Sequence, residues 1–265
     1  MEWLGIGQVF ADGHVYRAAQ VFDSLRRAIQ QLGEFYGNLE TNEDLPVEPP
    51  RPGPRFFPRY TTYTDHASST TVGFEYLKPL TASNKSPFLT KIKDSDEMVV
   101  VKFVARYGAR AHHELAEAGM APRLRFCGSL DGRDDVRGAP TESTKEVFGY
   151  HLGPLRMVVM DYVDGTHLEA LERYERPEDL YGKVKAMVSH LHGSGFVFGD
   201  LRPPNVMVSG SKVLLVDFDW AGEDGQVHYP TGIVEGITRH SGARDLGLIE
   251  KQHDLDLLDY YFHNI

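Results

Sequence analysis

Asp200, Asn205 and Asp217 are three oxygen-bearing side chains on one short segment, at a spacing that can bring them to one mouth. An apolar run begins at Asn205 and reaches Val208, and a second runs from Lys212 to Phe218 after Ser209-Gly210-Ser211. Two such runs joined by a polar, glycine-containing triplet signal a hairpin. A tight hairpin folds the chain back on itself, so Asn205 lies beside Asp217 at one edge, with Asp200 on the loop just before them. Carboxylate and amide oxygens suit Mg²⁺, a hard cation that completes its shell with water and phosphate oxygens. The segment therefore points to a nucleotide–metal site. A plainer reading stays open, in which Asp200 and Asn205 cap a turn around Pro203 and Pro204.

Such a mouth needs elements to hold it. Apolar runs predict strands over 70–80, 88–93, 98–104, 124–130 and 156–160. A helix is expected over 106–119, ended by Gly119 and by Pro122, which forbids its continuation. Leu180, Val184, Met187, Val188 and Leu191 mark another helix, opened by Pro177 in its first turn and closed by Gly193. A last helix is expected over about 245–262. Strands first and helices later give an α+β chain in two lobes. Upstream, Val15, Ala18, Phe22, Leu25, Ile29, Leu32 and Tyr36 recur three and four apart, a narrow stripe on an amphipathic helix over 14–37 with Asp12 as its cap. That helix docks on its own domain or meets a helical partner. Residues 46–69, proline-rich from Pro46 to Pro58, read as a linker, and the polar run 131–146 as an exposed loop.

With these residues in place, a resemblance is evident. Asp200-Leu201-x-x-x-Asn205 matches the protein-kinase catalytic-loop pattern, and Val216-Asp217-Phe218 matches the start of the D-F-G element. Val99-Val100-Val101-Lys102 resembles the strand presenting the phosphate-binding lysine, and Met160-Asp161-Tyr162 resembles the hinge that meets adenine. The resemblance implies a two-lobed protein-kinase-like fold, with an extension over 1–45, an N-lobe and hinge over 70–163, and a minimal C-lobe over 164–265. It implies ATP and Mg²⁺ as cofactors. Asp200 would orient or deprotonate the attacking hydroxyl, with Arg202 near the γ-phosphate. Asn205 and Asp217 would hold the metal, Lys102 would steady the α- and β-phosphates, and Met160, Asp161 and Tyr162 would receive adenine.

The pattern departs from conventional protein kinases in several places. Thr81-Ala82-Ser83-Asn84-Lys85-Ser86 stands where a glycine-rich loop is usual, and Gly199 stands where an arginine is usual. Asp217-Phe218-Asp219 ends in a second carboxylate, as in small-molecule kinases such as choline or aminoglycoside phosphotransferases. The glutamate that should pair with Lys102 falls near Gly108 by register, with Glu114 as the next candidate. No A-P-E element is present and only about 45 residues follow Asp219, where His253-Asp254 resembles the helix whose aspartate braces the catalytic loop. The overall likeness is to divergent kinase-like proteins common in fungal genomes. Active transfer to a protein or small-molecule hydroxyl is expected. A pseudokinase serving as a binding module is the alternative.

Bulk properties agree with that reading. The 265 residues carry a net charge of −10, which argues against non-specific binding to nucleic acid or anionic membrane. A single cysteine, Cys127, allows no intramolecular disulfide and no thiolate cluster. No apolar run approaches a membrane span, and the start lacks the pattern of a signal peptide. An intracellular setting is expected, cytoplasmic with the nucleus left open. Leu214-Leu215-Val216-Asp217-Phe218-Asp219 also resembles a haloacid-dehalogenase strand, but the downstream lysine and acids of that family have no room here. His190 and His192, two apart on a helix, lack zinc spacing.

Overall fold

The structure is a computed structural model that describes residues 12–37, 58–81, 87–130, 155–233 and 242–263. The chain forms two units, residues 1–53 and 54–265. The first contains helix α1 (Asp12–Gly37), on which Phe22, Leu25, Ile29, Leu32 and Tyr36 of the predicted stripe are exposed. Asp12 is helical rather than a cap. The turn at 82–86, the loop at 131–146 and most of the proline-rich run lie outside the described residues.

The second unit opens with six antiparallel strands: β1 (Thr62–Thr64), β2 (Thr71–Pro79), β3 (Phe88–Ile92), β4 (Met98–Val104), β5 (Leu124–Ser129) and β6 (Arg156–Asp161). They are ordered β1-β2-β3-β4-β6-β5. Strand β1 falls inside the stretch expected to be linker. It is too short to show period-two patterning, and its pairing with Thr71–Gly73 of β2 makes it a strand. Helix α2 (Ala109–Glu117) connects β4 to β5. Strand parity then decides which residues face the site. Val99 and Val101 join Phe74, Ile92 and Val159 in one apolar cluster. Their neighbours Val100 and Val104, with Val158 and Met160, turn the other way into the core shared with α2 and the second lobe. Lys102 lies opposite Val158 in β6, so it faces that same side.

The second lobe holds β7 (Thr166–His167), helix α3 (Leu180–Gly193), β8 (Phe196–Val197), β9 (Val206–Ser209), β10 (Lys212–Leu215), β11 (Gly222–Glu223) and helix α4 (Lys251–Phe262). Helix α3 starts at Leu180, three residues beyond Pro177, because Asp179 accepts a bond from the Gly182 amide at 3.2 Å and takes the cap. Helix α4 starts at Lys251 rather than near 245, because a turn closed by Gly247 N to Arg244 O takes up Asp245 and Leu246, and the Tyr229 N–Gly247 O and Ile249 N–Val227 O bonds tie the next residues to Val227 and Tyr229. Leu180, Val184, Met187, Val188 and Leu191 of α3 pack with Leu257, Leu258 and Phe262 of α4. The result is the α+β, two-lobed arrangement with a small helical lobe. Among the described residues no helix is long and apolar enough to cross a membrane.

Candidate active site

The hairpin β9–β10 pairs Val206 with Leu215 and Ser209 with Lys212. Strand β9 is shifted one residue from the expected run, and β10 ends at Leu215, short of the expected Phe218. Asn205 sits in a 3₁₀ turn before β9, and the chain leaves the ladder after Leu215. The Val216 amide donates to Asn205 O at 2.9 Å, which holds the two ends together beyond the ladder. Asp217 then adopts φ +68°, in the left-handed region that costs a non-glycine residue roughly 1–2 kcal/mol. Strain of this kind persists where the surroundings over-determine it, commonly at functional sites.

The catalytic-loop candidates form one connected set. Asn205 Nδ2 donates to Asp200 O at 2.8 Å and to Asp200 Oδ2 at 2.9 Å. Arg202 Nε donates to the same Oδ2 at 2.9 Å. With its amide nitrogen engaged, Asn205 offers Oδ1 as its ligating atom. Asp200 and Asn205 are both buried, so the carboxylate is held in one orientation.

The loop is braced from below by a residue of α4. Asp254, fully buried, accepts from Phe198 N and Gly199 N at 2.8 Å each, and from His192 Nε2 at 3.0 Å. A buried carboxylate with three donors is satisfied, and it fixes the two peptides that lead into Asp200. Gly199 takes φ +81°, and a Cβ there would lie 3.0 Å from Ile249 Cδ1. Glycine at the usual arginine position is thus dictated by backbone conformation and space.

Lys102 is 8% exposed, and its Nζ lies 2.9 Å from Asp217 Oδ1 and 2.6 Å from Asp219 Oδ1. The Tyr107 ring centroid is 5.4 Å from the ammonium. Burial alone would lower the lysine pKa, but the two carboxylates outweigh it and hold the ammonium charged. Burial pushes Asp217 up, yet the Lys102 charge and hydrogen bond bring it below the usual carboxylate range. Asp219 is pushed up to about 7, first by burial and then by the charge of Asp217.

Helix α2 is pinned to this segment. Gly108 N donates to Phe218 O at 2.9 Å, and Arg106 Nε donates to Asp219 O at 3.0 Å. The His112 ring stacks on Phe218 with centroids 4.4 Å apart and 9° between planes, and Phe198 meets Phe218 edge-on at 5.3 Å. Glu114, the candidate partner for Lys102, instead accepts from Ser194 Oγ at 2.8 Å and His190 Nε2 at 3.1 Å. It lines a cavity of about 710 Å³ behind α2, with His66, Arg110, His113, Arg123 and Cys127. That cavity contains none of the site residues, so the site is assigned on the chemistry of the cleft. His190 and His192 serve carboxylates, as their helix-end position suggests.

At the hinge, Asp161 N donates to Arg123 O at 3.0 Å and Tyr162 N to Met98 O at 3.2 Å. The Asp161 carboxylate is bound by Arg125, which also pairs with Glu97 at 2.7 Å. These two amides are thus engaged within the protein. Among the described residues no three His, Cys, Asp or Glu side chains gather as a metal-ligand group. The Asn205 and Asp217 oxygens are a sparse donor set, which fits Mg²⁺ with water and phosphate in its remaining positions.

The structure holds two bonded sets, Asp200–Arg202–Asn205 and Lys102–Asp217–Asp219, linked through the backbone bond from Val216 N to Asn205 O, while Met160 and Asp161 end β6 and Tyr162 follows it. The sequence marks Asp219 only as a second carboxylate after Phe218 and gives His112 and Tyr107 no role. The second carboxylate of Asp-Phe-Asp was the available signal for the first. Nothing in the spacing signals the other two.

No family model matches the sequence. A probable bifunctional tRNA threonylcarbamoyladenosine biosynthesis protein of Methanosarcina barkeri is 33% identical over 82 residues, 31% of this chain and 13% of that protein. The EKC/KEOPS complex subunit BUD32 of Encephalitozoon cuniculi is 37% identical over 62 residues, 23% of this chain and 31% of that protein. The chain thus spans less than a third of the length of these curated relatives. Among solved structures, the Cydia pomonella granulovirus kinase PK-1 aligns at 18% identity with a TM-score of 0.42, covering 57% of this chain and 53% of that one.

Proposed function

We propose that this chain, a divergent member of the protein-kinase-like superfamily, binds Mg-ATP and transfers the γ-phosphate to a hydroxyl of a protein or small molecule. The observation carrying this reading is the bonded set Asp200–Arg202–Asn205 beside Lys102–Asp217. These groups come from a loop braced by Asp254, a turn strained at Asp217 and the buried strand β4 that carries Lys102, which supports the reading.

Asp200 accepts the proton of the acceptor hydroxyl as that oxygen bonds the γ-phosphorus, and the bond to the ADP oxygen breaks. Arg202 and Asn205 hold the Asp200 carboxylate aimed, both donating to its Oδ2 at 2.9 Å. Asn205 Oδ1 and the Asp217 carboxylate would hold Mg²⁺, which supplies charge neutralisation for the phosphate oxygens. Lys102 brings a fixed positive charge to the phosphates from a buried strand. The site works by alignment and electrostatics, so loss of one member costs heavily.

The test combines binding with transfer. ATP with Mg²⁺ at about 100 times its Kd should stabilise the protein by about 2.7 kcal/mol in a thermal-shift titration. Asp200→Asn should keep that shift while lowering turnover by about 10²–10⁴-fold. The nucleotide reading fails if no shift occurs with or without metal. The catalytic reading fails if Asp200→Asn leaves phosphate release and transfer intact, and a binding module is then the better description.

A further inference from the structure

We infer that Asp219 is the carboxylate that positions Lys102, a task carried neither by helix α2 nor, once Asp217 holds metal, by Asp217. The inference rests on the reading of Lys102 as the phosphate-binding cation and extends it.

A buried ammonium needs a charged partner in every state of the site. Two are in reach, Asp219 Oδ1 at 2.6 Å and Asp217 Oδ1 at 2.9 Å. Asp217 is the side chain placed for Mg²⁺, and a carboxylate that turns to a divalent cation surrenders charge density to it. Asp219 then remains as the sole anion on Lys102 among the groups that contact it.

Helix α2 cannot take over. Its residues buried against the core are Ala111, His112 and Leu115, none of them acidic. Glu114 faces Ser194, His190 and the cavity behind the helix, and Glu117 lines that same cavity. The N-terminal approach to α2 contributes instead the Tyr107 ring, whose negative face attracts the ammonium without competing for the carboxylates.

Asp219 is also built to stay put. Its carbonyl accepts from Arg106 Nε at 3.0 Å, and the preceding Phe218 is fixed by the Gly108 amide and the His112 stack. A glycine at position 219 would accept the same Arg106 bond through its carbonyl but would offer Lys102 no carboxylate. The second carboxylate of Asp-Phe-Asp therefore replaces, from the opposite lobe, an ion pair that α2 does not make. Because the anchor and the metal ligand share one rigid turn, Lys102 is in place whenever that turn is.

Amine acetylation of the intact chain, followed by peptide mass spectrometry at Lys102, tests this without nucleotide or metal. Wild-type Lys102 should react far more slowly than exposed lysines. Asp219→Asn should speed its labelling severalfold, because the nearer carboxylate at 2.6 Å is lost and only Asp217 at 2.9 Å is left to hold the ammonium. Asp219→Glu should restore protection, and Glu114→Gln should match wild type. In steady-state assays Asp219→Asn should raise the KM for ATP while leaving the apparent Mg²⁺ requirement unchanged.

Unchanged labelling in Asp219→Asn, or faster labelling in Glu114→Gln, overturns the inference. So does a raised Mg²⁺ requirement with Lys102 still protected, which would make Asp219 a metal ligand. Should Asp219→Asn not fold, Asp217→Asn decides: Lys102 must stay protected there by Asp219, and labelling at the rate of exposed lysines refutes the assignment. Labelling of the free protein reads the ion pair alone, whereas the ATP thermal shift reads the nucleotide site, so either can fail while the other stands.

Discussion

His112 should make the stability of this protein fall steeply on acidification. The ring is fully buried, with Nε2 2.7 Å from Pro122 O and Nδ1 2.7 Å from the Tyr107 hydroxyl. A carbonyl only accepts, so Nε2 carries the hydrogen and the Tyr107 hydroxyl donates to Nδ1. A proton on Nδ1 would reverse that bond and place a charge in apolar surroundings. Burial first, and then the nearby charges of Lys102 and His113, lower the His112 pKa to about 3, against the ordinary histidine value of about 6.5. The unfolded chain therefore binds a proton that the folded chain refuses. Stability is complete above about pH 6.5 and is lost as pH falls toward about 3. At about pH 5 the deficit is about 1.5 pK units, or about 2 kcal/mol. Urea denaturation of wild type and His112→Phe between about pH 8 and about pH 5 would measure it. The variant keeps a flat ring against Phe218 but leaves Tyr107 and Pro122 unpaired, so it is weaker throughout the range. Its deficit relative to wild type should narrow by about 2 kcal/mol over that interval. Parallel curves would refute the neutral, buried assignment.

Two further outcomes follow from the packing around the site. Asp254→Asn replaces one of two accepting oxygens with a donor that must face either the Gly199 amide or the Phe198 amide and His192, and should cost about 3 kcal/mol of stability. Differential scanning calorimetry would register this as a lowered Tm, and turnover should fall with it because the loop carrying Asp200 loses its brace. A Cβ at Gly108 would lie 2.4 Å from Ala221 O, a backbone atom that cannot rotate away. Gly108→Ala should therefore destabilise by about 1–3 kcal/mol and loosen the Gly108 N–Phe218 O link, read as faster hydrogen exchange at Gly108.

Much of the site could be read from spacing because its parts are close in sequence. Asn205 and Asp217 flank one hairpin whose ends are joined by the Val216 N–Asn205 O bond, and Asp200, on the loop before it, is held by the Asn205 amide. Lys102 was legible only as one residue in a strand. Its facing toward the cleft follows from strand parity once the sheet is known, because period two fixes relative but not absolute sides. The bracing role of Asp254 was suggested by resemblance, and the structure supplies the three donors that make it physical.

The sequence by itself determined the α+β order of elements, the hairpin, the oxygen donors and the lysine, since each depends on local periodicity and short-range turns. The tertiary structure alone decided which anion holds Lys102. Asp219 reaches it across 117 residues of chain, while Glu114, twelve residues away, is turned to Ser194 and His190. Helical phase and the packing of one lobe on the other set those directions. Neither is written in the spacing of any single segment.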